Sequence, residues 1–360
     1  MQRDFRRLLI CLVTRGDQKE VVHRSISAIQ DMYQTIDCRI SLHILTEDAR
    51  AEAFRGIFRP HVLVHGVPAE FKPSKAKYKA RSLEWFRVNM QLDEDDWVLH
   101  IDEETLLDEY CIQSCIDFIT KQTNADIGQG VIHFNCHEYW SSVFTGVADV
   151  NRVKNDFGDV QWRLNWLGKA AVGIRGSFLL IRGSVENACT WDTDSLTEDY
   201  AFCLEAIRKG YRMGYVPGIA RELSPSCIGD LIRQRRRWYT GVRGLGDFWG
   251  QLFLLRTAIT GLQAFNFIAC WFLVYPWPSW TVQQPQWVYN WTVFETSIGI
   301  GITAWILFLQ DYDTGLSIED MVAHQVLAVL VQPFVQIAEG YAVLMSTFFP
   351  DTWFFVIKKT

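Results

Sequence analysis

The sequence predicts an α/β fold, a Rossmann-like and mostly parallel sheet, followed by an amphipathic interfacial helix and C-terminal transmembrane helices. Three observations predict it. From the N-terminus to about Arg256, short apolar runs alternate with polar, helically periodic segments, the βαβ rhythm of a parallel sheet. Between Arg256 and Lys358 there is no Lys or Arg, and this stretch carries long apolar runs rich in Trp. Neither a Walker-type glycine loop nor GxGxxG follows the first apolar run, which argues against a P-loop nucleotidase and a Rossmann dehydrogenase.

Composition narrows the function classes. A chain of 360 residues that is 49 % hydrophobic and only 21 % charged is not disordered. Its formal net charge of -6 offers no basic excess, so no nucleic-acid partner is expected. Nine cysteines without paired spacing suit a reducing compartment, with no disulfide and no zinc expected; Cys111 and Cys115 read as an i,i+4 helical pair. Met1 to Arg7 is charged and Leu8 to Val13 is too short for a signal-peptide core. The expectation is an integral membrane protein whose catalytic domain faces the cytosol, with plasma membrane, endoplasmic reticulum and Golgi left undecided.

Strands are expected at Leu8–Val13, Ile40–Leu45, Val62–His65 and Trp97–Ile101, with helices at Lys19–Gln34, Asp48–Phe58 and Lys75–Gln91 between them. In such sheets ligands sit beyond the carboxyl ends of the strands, which points to Thr14–Asp17, Thr46–Asp48 and Asp102–Glu104. Asp102 and Glu104 occupy alternate positions at a strand end, so both carboxylates can point the same way and hold a Mg²⁺ or Mn²⁺ ion against a diphosphate; a solvated strand cap has the same composition. Gly128–Phe134 reads as a further strand, so His133, His137 and Glu138 do not share a helical face and are expected to be ordinary pocket or core groups. Trp140, Trp162, Trp166 and Trp191 suit sugar stacking, packing or membrane anchoring equally.

Downstream, Ser195–Tyr200 opens a helix with Thr197 as its N-cap and Glu198 and Asp199 in the first turn. Arg233-Gln234-Arg235-Arg236-Arg237-Trp238 lies in an amphipathic segment, Ile228–Trp249, with cations on one side and apolar residues on another. Apolar stretches follow at Thr257–Tyr275, ended by Pro276-Trp277-Pro278, at Val288–Leu309 around Glu295, and at Val322–Phe349, interrupted by Gln332-Pro333, Gln336 and Glu339. Three crossings would place Lys358 and Lys359 opposite the Arg-rich segment, against the positive-inside tendency, so the topology of the last stretch stays open.

The order and spacing of these pieces resemble the membrane-bound family 2 glycosyltransferases, relatives of cellulose and hyaluronan synthases. Val13-Thr14-Arg15-Gly16-Asp17, Trp97 to Thr105, Gly128-Gln129-Gly130 and Arg175-Gly176-Ser177 most resemble the egghead-type β-1,4-mannosyltransferase branch over roughly residues 8–245. The resemblance implies a GT-A nucleotide-sugar-binding domain. By position it implies that Thr14, Arg15 and Asp17 line the base and ribose, joined by Glu47 or Asp48, between which the local alignment does not decide. Lys79 would face the nucleotide or its phosphates. Asp102 and Glu104 would hold the metal, with Glu104 standing where cellulose-synthase-like members usually have Asp. Asp199 would be the general base. Gln234, Arg237 and Trp238 match Gln-x-x-Arg-Trp, with Gln234 and Arg237 on the donor diphosphate side and Trp238 bordering the acceptor channel. Gly176, Ser177 and Glu198 would lie on the acceptor side.

The expected function is therefore a metal-dependent, inverting β-glycosyltransferase of the bilayer. It would move a sugar from a nucleotide-sugar donor, GDP-mannose first, to a hydroxyl of a lipid-linked or glycan acceptor. A processive polysaccharide synthase using UDP-glucose or a similar donor is the alternative within the class, and a catalytically silent membrane scaffold is the alternative outside it. The expected organisation is a cytosolic catalytic domain over 1–225, interface helices over 226–256 and a transmembrane region over 257–360.

Overall fold

The computed structural model describes residues 4–30, 36–56, 61–121, 124–136, 139–169, 172–269 and 285–351. The described residues form two compact units, one of residues 4–136 and 155–222 and the other of 139–154 and 223–351.

The first unit is built on a seven-stranded sheet in the order β3-β2-β1-β4-β6-β5-β7. Its strands are β1 (Leu8–Val13), β2 (Ile40–Glu47), β3 (Val62–Val67), β4 (Trp97–Asp102), β5 (Ile127–His133), β6 (Leu179–Arg182) and β7 (Met213–Arg221). β1, β2, β3 and β4 pair in parallel and β5 pairs in parallel with β7, while β6 runs antiparallel to both β4 and β5. All strands except β6 therefore point the same way. Every residue of β1 and β5 is buried, as the continuous apolar text of Leu8–Val13 requires of a strand covered on both faces.

Helices α1 (Lys19–Gln30), α2 (Asp48–Arg55), α3 (Tyr78–Asn89), α4 (Glu109–Lys121), α6 (Gly183–Ala188) and α7 (Glu198–Arg208) belong to this unit, with π-helical turns at Asp156–Val160 and Arg163–Leu167. Trp97, Phe118, Trp191 and Phe202 fill the core; Trp97 meets Phe118 edge-on, and the Trp191 and Phe202 rings stack with centroids 4.1 Å apart.

Two expected helix boundaries move. α1 is described as far as Gln30, and residues 31–34 of the expected helix lie outside the described residues; α2 closes at Arg55 on Gly56, ahead of the expected Phe58. α3 starts at Tyr78 rather than Lys75, because the Asp192 carboxylate accepts the N–H groups of Ser74 (3.1 Å), Lys75 (2.7 Å) and Ala76 (2.7 Å) and holds them in a loop. Thr197 sits at the start of α7, but its hydroxyl pairs with Ser195 Oγ at 3.1 Å and caps no helix N–H.

The second unit holds α5 (Val143–Asn155), α8 (Ile228–Leu245), α9 (Phe248–Ala269), α10 (Gln286–Asp313) and α11 (Ile318–Phe348). The expected continuous amphipathic segment is broken: Gly246 takes a left-handed φ of 65°, ends α8, and lets α9 start anew at Phe248. Arg235, expected on the cationic face, is instead buried between carboxylates. Among the described residues one helix, Ile318–Phe348, is long and apolar enough to cross a membrane. Its Gln332 is satisfied inside the unit, donating to Asn151 Oδ1 at 2.9 Å. Residues 270–278, which include Pro276-Trp277-Pro278, and Lys358 and Lys359 lie outside the described residues, as do His137 and Glu138.

Candidate active site

The carboxyl ends of β1, β4 and β7 and the amino end of the reversed β6 share one edge of the sheet, and the candidate residues of the first unit gather there. β1 and β4 are in register with Val13 beside Asp102, so Thr14 and Glu103 emerge side by side. The Thr14 hydroxyl donates to Glu103 and accepts the Gly16 N–H at 2.8 Å, while Gln18 Nε2 donates to Glu103 Oε1 at 3.1 Å. Glu103 thus ties two strand ends together and leaves its neighbours Asp102 and Glu104 for the site. Gly16, at φ 78°, makes the turn that a side chain would strain.

Lys79, brought in by α3, is ion-paired to Asp102 and lies 3.7 Å from Glu198 Oε1. Burial alone would push its ammonium down, but Asp102, Glu198 and Asp199 more than reverse this and hold it above the usual lysine range. Asp199, in the first turn of α7, accepts the Gly176 N–H on Oδ2 at 2.7 Å and the Tyr200 N–H on Oδ1 at 2.8 Å. Burial raises its pKa above the usual carboxylate range against the opposing pull of Lys79 and these two N–H groups. Gly176 gives Lys79 its close approach: a Cβ there would stand 2.8 Å from Lys79 Nζ and 3.4 Å from Asp199 Cβ. Ser177 beside it is buried.

A third carboxylate completes the acidic group. One oxygen each of Asp102, Glu104 and Glu222 lie within 4.8 Å of one another. Glu222 follows β7, whose last residue Arg221 bridges to Leu106 in the segment after β4. The Thr105 hydroxyl donates to Glu222 Oε1 at 3.0 Å and accepts the Asp102 N–H at 3.2 Å. Three hard oxygen donors fit a Mg²⁺ or Mn²⁺ ion. Sequence reading missed Glu222, for it lies far along the chain from Asp102; its place just after a long apolar strand was the available signal.

The remaining residues are placed less centrally. Asp17 is paired with Arg50 at 2.8 Å and Arg15 at 3.4 Å. Glu47 accepts from Arg81 at 2.9 Å, whereas Asp48 lies over Gly66, where a Cβ would come 2.3 Å from Asp48 Oδ1. Gln234, Arg237 and Trp238 lie on α8 in the second unit. There the Trp238 ring faces two guanidinium groups, Arg152 at 4.4 Å and Arg235 at 4.6 Å. His133 ends β5 in the core.

Comparison with known proteins gives this arrangement a context. The family described as glycosyl transferase family group 2 matches residues 97–309. The chain is 29 % identical over 245 residues to β-1,4-mannosyltransferase egh of Drosophila melanogaster, covering 65 % of this chain and 52 % of that protein. It is 32 % identical over 190 residues to β-1,4-mannosyltransferase bre-3 of Caenorhabditis elegans, covering 51 % of this chain and 41 % of that protein. The chain thus spans about half the length of the curated relatives it matches. Among solved structures, mannosyltransferase PcManGT of Pyrobaculum calidifontis, in complex with GDP-Man and Mn²⁺, is similar in fold with a TM-score of 0.51 at 11 % identity, over 95 % of this chain and 87 % of that one.

Proposed function

The chain belongs to glycosyl transferase family group 2 and has a GT-A type α/β fold, and from there we propose that it is a membrane-anchored, metal-dependent, inverting β-mannosyltransferase. The donor is GDP-mannose, and the sugar passes to a hydroxyl of a lipid-linked or glycan acceptor. The names of the relatives and the GDP-Man held by the fold neighbour support this donor. The organisation proposed is a cytosol-facing catalytic domain over 1–225, interface helices over 226–256 and a bilayer region over 257–360, to which the apolar length of Ile318–Phe348 lends support.

The observation that carries the reading is Asp199: a part-buried carboxylate fixed through both oxygens by backbone N–H groups, with the charges of Lys79 and Asp102 acting on it. A sugar hydroxyl near its ordinary pKa is a poor nucleophile, and Asp199, with its raised basicity, takes the proton as the hydroxyl attacks the anomeric carbon. One base and one in-line displacement invert the configuration, so an α-linked donor yields a β-glycoside. Lys79 and, on the family-motif assignment, Arg237 offer positive charge to the donor phosphates and Gln234 a neutral amide N–H donor; Trp238 borders the acceptor on the same assignment. Thr14, Arg15, Asp17 and Glu47 or Asp48 serve the base and ribose, and Gly176, Ser177 and Glu198 the acceptor side. A divalent ion held by Asp102, Glu104 and Glu222 supplies Lewis-acid stabilisation of the leaving diphosphate when bound.

Nucleotide release by purified protein with Mn²⁺, across GDP-mannose, UDP-glucose and UDP-N-acetylglucosamine, with and without a glycolipid extract, tests the reading. Release from GDP-mannose that rises with acceptor, with one sugar added, is expected. A ladder of products from a UDP-sugar would replace it with a processive synthase.

A further inference from the structure

The Gln-x-x-Arg-Trp segment contains an arginine that its pattern leaves unspecified, Arg235, and the second unit closes around it. Arg235 is 2 % exposed. Its guanidinium donates to three acceptors from three directions: Glu339 Oε1 of α11 at 2.8 Å, Asp149 Oδ1 of α5 at 2.7 Å, and the side-chain carbonyl of Gln234 at 2.8 Å. The second oxygen of Glu339 accepts from the hydroxyl of Tyr239, one turn along α8 from Arg235. Asp149 also holds Arg152 at 3.3 Å. Both arginines present their guanidinium groups to the Trp238 ring, at the distances given above.

Glu339 is itself fixed along α11. The next residue, Gly340, meets Gly261 of α9 backbone to backbone: a Cβ on Gly340 would stand 2.9 Å from Gly261 Cα, and one on Gly261 would stand 2.7 Å from Gly340 Cα. The two helices interlock there, so α11 cannot slide past α9 without a clash, and the height of the carboxylate is set. A charged group inside an otherwise apolar helix is costly and rarely retained without a task. A buried ion pair is also weak evidence of stability, since apolar residues of the same volume often stabilise as much.

We propose that Glu339 and Asp149 act through Arg235 and Arg152 as positioning residues for Trp238, so that the apolar helix α11 sets the orientation of the acceptor-side indole. This rests on the reading of Trp238 as an acceptor-side residue. The guanidinium of Arg235 suits the task and an ammonium would not, because only a planar fork reaches three acceptors and lies over a ring together.

The test uses the full chain in lipid nanodiscs with GDP-mannose and a glycolipid acceptor. Glu339→Gln keeps size and hydrogen-bonding atoms but removes the charge. Its kcat/KM for the acceptor should fall roughly ten- to a hundredfold, the scale expected when a reacting group is held slightly out of place. Nucleotide release to water without acceptor, and the KM for the donor, should stay within about twofold, inside ordinary non-additivity. Tyr239→Phe, a milder change, should move the same parameter less. The double variant Glu339→Gln/Trp238→Ala should be no worse than Trp238→Ala, because the first change acts through the second residue.

Wild-type acceptor kinetics in folded Glu339→Gln and Tyr239→Phe would overturn the proposal. So would losses that multiply fully in the double variant, or an equal fall of release and transfer together with the melting temperature. If Trp238→Ala alone transfers normally, the acceptor-side reading of that residue has failed, and the proposal with it.

Discussion

The backbone N–H of Gly176 donates to Asp199 Oδ2 at 2.7 Å, at a point of the chain where a Cβ would stand 2.8 Å from Lys79 Nζ. One glycine thus lets a base and a cation approach the same place. Gly176→Ala is predicted to fold, because the crowded atom is the far end of a flexible side chain. Lys79 must then move off Asp102, and transfer should fall by about tenfold, the scale of a small misplacement. Steady-state kcat beside a thermal melt checks this; normal turnover would show that Lys79 has room to spare.

Glu222 should strengthen divalent-ion binding. Glu222→Gln keeps the acceptor for the Thr105 hydroxyl and removes one charged oxygen from the group of three. Mn²⁺ affinity, read by the loss of the free-ion EPR signal during titration, is predicted to weaken by roughly ten- to a hundredfold. An unchanged affinity would exclude this carboxylate from the ion's coordination.

Much of this site was legible in the sequence, and the exceptions have physical causes. β1, β4 and β5 fall within a residue of expectation: β1 is an unbroken apolar run, as a strand buried on both faces requires, and β4 and β5 keep apolar cores around His100 and Gln129. Asp102, Glu104 and Asp199 could be found because each follows or opens an element. Glu222 was not found, since it reaches the site through the Leu106–Arg221 bridge, a contact between distant parts of the chain. Arg235 was read as one cation on the charged side of an amphipathic segment because its partners, Asp149 and Glu339, come from helices far away in sequence. Thr197 was read as a cap, but Ser195 two residues earlier takes its hydroxyl.

Asp192 supplies a pH-dependent share of stability. Desolvation works to raise its pKa, but hydrogen bonds from Ser74, Ala76 and Lys75 outweigh it and hold the carboxyl down from 3.8 to about 2. A depressed folded-state pKa gives stability that is fully present above the unfolded value and is lost as pH falls through the folded one. Asp192→Asn should therefore melt below wild type at pH 7, with a difference that shrinks between about pH 4 and pH 2. A constant difference across that window would mean the charge contributes nothing. Because Asp192 also holds the loop leading into α3, the variant should lower transfer through Lys79 at neutral pH.

The central claim is that Asp199 removes the acceptor proton. The most direct measurement is single-turnover mannosyl transfer by Asp199→Asn against wild type, with donor saturating and donor binding measured separately. The account predicts donor affinity close to wild type and a transfer rate lower by about a hundred- to ten-thousandfold, the contribution of a positioned general base. Transfer at the wild-type rate would contradict it and move the base to another residue.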